Sequence, residues 1–378
     1  MVIGSTVRKG AALVHYVKDQ RSGHYFQVGA REGFIMVRLT GQATLAQIGD
    51  EYAGVFQRRL NEERWGQILA TLGRRGLLTG GPEETSAPPD VPGPPRSLLR
   101  GRLPLINPDR FMRTMLGFLG WTYSAWFVVP ALLAVVILEA GIAVQIRTLW
   151  DEAVTVWRDP WMMLVVALFL WLSLGVHEMA HGLTCIRFGG TASEIGIMWR
   201  LPFLAPYCRV HDMMLFPKRR YRVYTAAAGA AVSLLLLLPV APVWLTAEPG
   251  SGTRQLTAAL LVFGSAAALV NLVPFFQFDG YSMLNHALGM DDLRGDSLRL
   301  LAARLRRGGR TPEYPRSVAV LYFAYGVASI IAALALGVLL IALSWYGLSL
   351  FTGGEAAAAI VAMGLAVGAL LAFGARSR

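Results

Sequence analysis

Six stretches of the sequence are apolar over about the length that a helix needs to cross a lipid bilayer. They are residues 116–138, 161–186, 223–246, 256–275, 317–345 and 355–374. A membrane-spanning helix needs about 20 predominantly apolar residues. Charged residues make up 16% of this chain, whereas soluble domains average about 25%. The sequence therefore predicts a mainly α, polytopic membrane protein with about six transmembrane helices.

The charged residues between these segments predict the orientation in the membrane. The loop 187–222 carries seven basic and two acidic residues, whereas 139–160 carries four acidic and two basic residues. Lys and Arg accumulate on the cytosolic side of membrane proteins. We therefore expect a multi-pass protein of the cell membrane with both termini in the cytosol. The net charge of +11 is attributed to the same bias, and no nucleic-acid partner is expected.

Composition divides the chain into three parts. Residues 1–80 are polar and mixed, which predicts a small cytosolic domain. Residues 81–110 contain eight prolines, which is typical of a semi-rigid linker without a packed core. Residues 111–378 hold the apolar segments and form the predicted membrane domain.

Short strands and capped helices are predicted in residues 1–80. The predicted elements are strands at 24–29 and 33–40 and helices at 45–56 and 62–73. A turn at 30–33 joins the two strands, and Thr44 and Asn61 are suited to cap the two helices. The run 77–79 is a candidate wing. This order predicts a small α+β domain of winged-helix-like form.

Residues 177–181, with the sequence HEMAH, lie inside the second apolar segment. Helical geometry places His177 and His181 on one face, so both imidazoles can reach one metal ion. Glu178 lies beside them as a candidate general base. Ionisable groups in a membrane helix cost at least about 2.5–3.5 kcal/mol each and usually mark function. For this reason we favour a metal site over the alternative, in which the histidines merely make polar helix contacts.

The position of this motif in its segment predicts its depth in the membrane. The apolar run 161–176 before it is about 24 Å long as a helix. The hydrocarbon core of a bilayer is about 30 Å thick. If the run enters from the outer face, His177 lies within the bilayer and near its cytosolic side.

A second polar segment, NLVPFFQFDG at 271–280, follows the fourth apolar segment. Pro274 lacks a backbone donor and ends or kinks the helix. Asp279 then lies on irregular backbone, which is tolerated at membrane depth only beside a protein cavity, and Gly280 permits a close turn. Asp279 is thus a candidate third ligand, with an ordinary loop aspartate as the alternative. Cys185, one turn after His181, is a rival third ligand.

An HExxH motif in a membrane helix, followed by N-x-x-P and D-G, resembles the site-2 protease family of intramembrane zinc metalloproteases. The resemblance covers about residues 111–316 and implies a three-helix core with one Zn²⁺ per active site. The residues that it implies for the site are the zinc ligands His177, His181 and Asp279, the general base Glu178, and Asn271 as a further catalytic group. Substrate-binding residues stay unassigned.

Two further stretches narrow this resemblance to one branch. LPLINPDRFM at 103–112 and PYCRVHDMMLFPKRRYRVYTAAAGAAVSLL at 206–235 are similar to bacterial peptide zinc metalloproteases associated with bacteriocins and modified peptides. His211 and Asp212 lie in the second stretch. We interpret them as residues of an interfacial loop, with a role beside the substrate or the metal ligands as the alternative.

Residues 1–80 resemble the PqqD-like winged-helix recognition elements of ribosomal peptide biosynthesis, which bind a leader peptide as an added strand. Together the resemblances imply an endopeptidase that removes a leader peptide from a ribosomally synthesised, modified peptide.

Two other functions stay open: regulated intramembrane proteolysis of a membrane-anchored signalling protein, and a peptide exporter or immunity protein whose histidines carry ions. The arginines of the N-terminal part could form a DNA-binding face, but we favour a solvated or lipid-facing surface. These arginines are Arg58, Arg59, Arg64, Arg74 and Arg75.

Overall fold

The computed structural model describes residues 2–19, 23, 25–39, 41–74, 100–200, 203–305, 314–352, 354–356, 358 and 360–363. The chain divides into two compact units, Met1–Asp292 and Leu293–Arg378. The first unit contains an N-terminal domain and all of the predicted site residues. The second unit is described by itself below.

An antiparallel sheet and three helices build the N-terminal domain. Its elements are β1 (Val2–Ile3), β2 (Val7–Lys9), β3 (Ala12–Lys18), β4 (Tyr25–Gly29), α1 (Ala30–Arg38), α2 (Leu45–Phe56) and α3 (Glu62–Arg74). Strand β3 pairs with β1 and β2 along one edge and with β4 along the other. Val17, Val28, Met36 and Leu72 form a buried cluster between the sheet and the helices.

The predicted strand at 33–40 is wrong, and so is the turn at 30–33. This part of the chain forms helix α1, which buries Gly33, Ile35 and Met36. A short apolar run does not distinguish helix from strand by its pattern alone, and here packing against the sheet favours the helix. The predicted strand at 24–29 is confirmed as β4, while β1, β2 and β3 are missing from the sequence prediction.

Both predicted helices of this domain are confirmed, together with their caps. Thr44 Oγ1 accepts a hydrogen bond from the Gln47 amide at 3.2 Å, and Gln47 Oε1 accepts one from the Thr44 amide at 2.9 Å. Asn61 Oδ1 accepts one from the Arg64 amide at 3.2 Å. Such bonds satisfy amides that have no partner within the first helical turn. The predicted wing at 77–79 lies outside the described residues.

Mostly helical elements form the rest of the first unit. They are β5 (Arg100–Ile106), α4 (Asp109–Leu119), α5 (Ala125–Val144), α6 (Ile146–Ala153), α7 (Pro160–Arg187), β6 (Thr191–Arg200), β7 (Phe203–His211), α8 (Arg219–Leu235), α9 (Val240–Thr246), α10 (Gly252–Asn271) and α11 (Asp279–Leu288). The second unit contains α12 (Leu293–Leu305) and α13 (Arg316–Thr352). Within it, Tyr322 donates a hydrogen bond to Asp296 at 3.3 Å.

Among the described residues, five helical segments are long and apolar enough to cross a membrane. They are Ala125–Val144, Pro160–Arg187, Arg219–Thr246, Gly252–Asn271 and Arg316–Tyr346. The mainly α class is thereby confirmed, and these helices support a location in a membrane. The first of them begins at residue 125 rather than at the predicted residue 116, because α4 is a separate helix that ends before a short 3-10 helix at Gly120–Tyr123.

The sixth predicted segment, 355–374, is only partly described. It overlaps a shorter apolar helix at Gly354–Met363 and then runs beyond the described residues. Its membrane crossing therefore stays a prediction.

A second antiparallel sheet, in the order β5-β6-β7, packs against the C-terminal half of α7. Met112 of α4, Ile186 of α7 and Ala192 of β6 share one buried cluster there. Because β5 covers Arg100–Ile106, the prediction of a linker is wrong for this part, and residues 81–99 lie outside the described residues. The sheet lies beside the part of α7 that carries the HExxH motif.

Candidate metal centre

Helix α7 carries the HExxH motif on one continuous helix of 28 residues. Its start is well defined, because Asp159 accepts hydrogen bonds from the amides of Trp161 and Met162 at 2.8 and 3.4 Å. The two histidine rings are neighbours on one face, with their centroids 4.8 Å apart. His177 is 3% exposed, so this pair lies inside the protein, as the spacing predicts.

The chain break that was predicted after the fourth apolar segment brings a carboxylate to this pair. Helix α10 ends at Asn271, three residues before Pro274, and α11 begins at Asp279. A Cβ at Gly280 would lie 2.0 Å from the carbonyl oxygen of Leu272. The close return of the chain at this point therefore requires a glycine, and it directs Asp279 toward α7.

Three atoms that can bind a metal ion converge at this point. Nε2 of His177 and Nε2 of His181 are 3.2 Å apart, and Oδ2 of Asp279 lies 2.9 and 3.3 Å from them, respectively. Zinc binds such atoms at about 2.0–2.2 Å, which places tetrahedral ligand atoms about 3.3–3.6 Å apart. The measured separations are close to these edges, so the three side chains could hold a metal ion.

Hydrogen bonds on the far side of each ring support this arrangement. Nδ1 of His181 lies 2.7 Å from the carbonyl oxygen of Thr225. A carbonyl oxygen only accepts, so Nδ1 carries the proton, and Nε2 of the neutral ring presents a lone pair to the centre. Nδ1 of His177 lies 3.1 Å from Oγ of Ser233, which can also accept. Outer hydrogen bonds of this kind orient metal-binding histidines in other proteins.

The third atom is also an acceptor. Oδ2 of Asp279 is buried and accepts no well-aligned hydrogen bond among the described residues. Two or three lone pairs that face one another at about 3 Å in a buried place repel. A proton on one imidazole nitrogen or a metal ion between the three atoms removes this repulsion.

Helix α8 keeps the space between these atoms open. A Cβ at Gly229 would lie 2.5 Å from Nε2 of both His177 and His181. Since metal–nitrogen bonds are about 2.0–2.1 Å long, a side chain at this position would enter the space between the ligand atoms. Glycine at position 229 is therefore part of the centre, although it has no side chain to contribute.

The other two predicted site residues also reach the centre. Oε2 of Glu178 accepts a hydrogen bond from the Cys208 amide of β7 at 3.1 Å, and its carboxylate interacts electrostatically with His177, His181 and Asp279. Nδ2 of Asn271, at the end of α10, lies 3.3 Å from Nε2 of His177. All five residues proposed from the sequence are thus brought together.

Neither cysteine belongs to this group. Sγ of Cys185, the rival ligand, lies 3.2 Å from the carbonyl oxygen of His211 and is fully buried. Burial raises the pKa of the Cys208 thiol to about 12, so this thiol is protonated at neutral pH and is a poor metal ligand in that form. Cys208 contributes its backbone amide instead.

The structure places His211 at the end of strand β7, so it is not a loop residue, and Asp212 directly after it. A position of either residue at the membrane interface stays a prediction. His211 Nε2 lies 2.8 Å from Ser193 Oγ, and Asp212 accepts hydrogen bonds from Lys18 at 2.7 Å and Thr191 at 2.9 Å. Asp212 therefore joins the N-terminal domain to the sheet beside the metal centre.

Several contributors to the centre were missed in the sequence. They are Thr225, Gly229 and Ser233 of α8 and the backbone amide of Cys208. The run TAAAGAAVS at 225–233 is a usable signal, because small residues allow two membrane helices to approach closely. The role of a single backbone amide leaves no trace in the sequence.

Fold and site together define an α-helical protein with apolar spans and a buried centre of two imidazoles and one carboxylate. No protein-family model, curated protein or solved structure matches the chain. The resemblances noted in the sequence therefore stay predictions.

Proposed function

We propose that this protein is a zinc-dependent endopeptidase that cleaves a peptide bond within or beside the membrane, near its cytosolic side. The observation that carries the proposal is the convergence of two imidazole nitrogens and a carboxylate oxygen within about 3 Å of one another, with Glu178 beside them. Hydrolytic zinc centres use three protein ligands and leave a fourth position for water or substrate.

The donor atoms support zinc over other cations. Two imidazoles and one carboxylate form a borderline-soft donor set, whereas magnesium and calcium are held mainly by oxygen atoms. The separations also fit tetrahedral geometry, which zinc prefers. The chemistry that zinc supplies in such sites is polarisation of a carbonyl group and a lowered pKa of water.

Within this proposal, each side chain has a defined task. Glu178 accepts a proton from the attacking water and delivers it to the leaving amine. The bond from the Cys208 amide to Oε2 holds this carboxylate in one orientation. Asn271 donates from Nδ2 toward the centre, where it can bind the carbonyl oxygen of the substrate.

The proposed substrate is the precursor of a ribosomally synthesised, modified peptide, recognised by residues 1–80 and cleaved behind its leader. The antiparallel sheet of β1–β4 supports this idea, because β4 pairs with β3 at one edge of the described sheet. Such an edge offers backbone donors and acceptors to an added peptide strand. We place both termini in the cytosol, on the basis of the charge distribution described above.

The proposal is tested by Glu178→Gln in purified full-length protein. The variant is expected to keep one zinc per chain, as measured by elemental mass spectrometry. Its cleavage of a peptide library, read by mass spectrometry, is expected to fall by about 10²–10⁴-fold. Glu139→Gln is the matched control, because Glu139 is also a carboxylate in a span and is bonded to Ser265 Oγ at 2.9 Å.

Two results would count against this function. Cleavage that survives in Glu178→Gln excludes Glu178 as the general base. Uptake of intact peptide into proteoliposomes by both wild type and variant, without any cleavage, favours the exporter instead. A wild-type preference for a single-pass membrane protein over soluble precursor peptides would favour intramembrane signalling.

A further inference from the structure

The Asp212 carboxylate links the N-terminal sheet to the sheet beside the metal centre. Asp212 accepts hydrogen bonds from three side chains: Lys18 of β3 at 2.7 Å, Tyr25 of β4, and Thr191 of β6 at 2.9 Å. Lys18 and Tyr25 are direct cross-strand partners, so both donors lie side by side. The Asp212 side chain is 9% exposed.

The charge and the backbone conformation of Asp212 suit a residue that links two sheets. Burial raises the pKa of Asp212, but the hydrogen bonds from Lys18, Tyr25 and Thr191 outweigh it, and its pKa lies below the usual value. Asp212 is therefore ionised at neutral pH. Its backbone has φ 69°, a left-handed conformation that aspartate and asparagine tolerate better than most residues. This conformation turns the chain at the end of β7.

Strand β7, which ends directly before Asp212, also orients Glu178. The Cys208 amide of β7 donates to Glu178, and Cys208 pairs with Ile195 of β6. After the next pair, Glu194 with Arg209, the register shifts at a bulge between Ala192 and Glu194. On the far side of the bulge only two pairs remain, of which the last joins Thr191 to His211. The hydrogen bond from Thr191 Oγ1 to Asp212 adds a further contact between β6 and the residue that follows β7.

We propose that Asp212 is a positioning residue for Glu178: by fixing the end of β7 to the N-terminal sheet, it keeps the Cys208 amide bonded to the general base. This inference rests on the proposed function. It means that contact between the N-terminal domain and Asp212 affects the rate of catalysis. A bulge locally disrupts the hydrogen-bond ladder between two strands, and beyond this disruption Asp212 is bonded to both sheets. The alternative role, a contact that only stabilises the fold, has a different experimental signature.

Three variants of the full-length protein separate these roles. Asp212→Asn keeps the left-handed backbone and removes the charge, Lys18→Met removes the charged donor while keeping an apolar stem, and Lys18→Arg restores a cationic donor. Arg38→Ala is the matched control, since Arg38 and Glu51 form an ion pair at 2.5 Å within the N-terminal domain, away from β7.

The expected result is a fall in kcat with an unchanged KM and an unchanged zinc content. Misplacing a catalytic group by about 1 Å can lower the reaction rate about 10²-fold. We therefore expect kcat to fall by about 10- to 100-fold in Asp212→Asn and Lys18→Met. Lys18→Arg should regain most of the activity, and Arg38→Ala should equal wild type. Equal kcat in all four variants and wild type would overturn the proposal while leaving the peptidase assignment intact.

A second measurement needs no substrate. Hydrogen exchange of the segment 203–211, followed by mass spectrometry, should be faster in Asp212→Asn than in wild type, because the Cys208 amide loses its fixed position. Unchanged exchange there would reject the proposal even if the protein proves to have no peptidase activity. If wild type cleaves no peptide but exchange is faster in Asp212→Asn, the proposed function is rejected, while the role of Asp212 in holding the Cys208 amide is supported.

Discussion

Two polar clusters lie among the apolar helices of the first unit, and they differ in how their atoms are paired. In the first, Glu152 of α6 accepts hydrogen bonds from Arg254 Nε at 2.7 Å and from Trp244 Nε1 at 2.6 Å. Arg254 also donates to the carbonyl oxygens of Trp244 and Ala247 at 3.3 and 3.1 Å. Its donors and acceptors match, so the cluster is complete within the protein.

In the second cluster, at the metal centre, acceptors face one another. Oδ2 of Asp279 approaches two imidazole nitrogens, and the outer bond of His181 leaves its Nε2 unprotonated in the neutral ring. Such a group costs free energy unless a cation completes it. Burial of charge alone therefore does not mark a functional site among apolar helices. What distinguishes the metal centre is that, among the described residues, its buried acceptor atoms converge on one point and Asp279 Oδ2 has no matching donor.

The largest effect that separates the two clusters is expected for Asp279→Asn. A neutral amide is a weaker metal ligand than a carboxylate, so the zinc content should fall from about one per chain to near zero and cleavage should fall to background. The metal-free variant should unfold at no lower temperature than metal-free wild type, because the repulsion is gone. Elemental mass spectrometry and thermal unfolding in detergent check both points, and a variant that keeps its zinc would remove Asp279 from the ligand set.

Gly229→Ala should have the next largest effect. Its methyl group would enter the space between the two Nε2 atoms, so we expect zinc affinity to fall by more than about 100-fold, as steric exclusion of a ligand position predicts. Competition with a fluorescent chelator measures the affinity. Gly175→Ala is the matched control on α7, because a Cβ there meets nothing within 4 Å, and an equal loss in both variants would refute the steric argument.

A smaller effect is expected for Ser233→Ala, which removes the outer partner of His177. Loss of such a partner typically costs about 10- to 100-fold in metal affinity or activity. The same chelator competition measures it. Ser265→Ala provides the comparison, since Ser265 is a buried serine bonded to Glu139 rather than to a ligand, and its affinity for zinc should equal that of wild type.

Glu152→Gln is the converse experiment and should leave the metal centre untouched. It weakens two hydrogen bonds and the ion pair with Arg254, whose side chains are only 16–19% exposed. We expect a loss of about 1.5–3 kcal/mol in stability, the typical value for a hydrogen bond to a charged group. Thermal unfolding and zinc titration are compared in the same preparation, and a drop in zinc affinity would show that the two clusters are coupled.

The membrane segments and the motif helix could be predicted because their signals are local. Length and apolarity decide whether a helix can span a bilayer, and four of the six predicted segments overlap spans closely. The boundary at 116–138 was misplaced because an amphipathic helix, α4, directly precedes the span. In the N-terminal domain the caps at Thr44 and Asn61 were readable, whereas the run 33–40 was not, because its short apolar pattern fits helix and strand equally.

The candidate site was predictable only for the residues that belong to a recognisable sequence motif. His177, Glu178 and His181 share one helix, so their proximity follows from spacing. Asp279 was a candidate because Pro274 ends the preceding helix and Gly280 permits a close turn, whereas Asn271 followed only from the resemblance to the site-2 protease family. The partners from α8 and β7 were not predictable, since Thr225 contributes a main-chain carbonyl and Cys208 a main-chain amide, which all residue types except proline possess.

The amino-acid sequence by itself determined that this chain forms apolar helices and that two imidazoles lie on one of them, because these properties depend on neighbours within a few residues. Only the tertiary structure decided which carboxylate meets the imidazoles, that Gly229 leaves room between them, and that Asp212 ties the N-terminal sheet to the strand holding Glu178. The physical reason is that coordination and hydrogen bonding require separations of about 2–3 Å. Such separations between residues up to about 200 positions apart are set by packing of the whole unit.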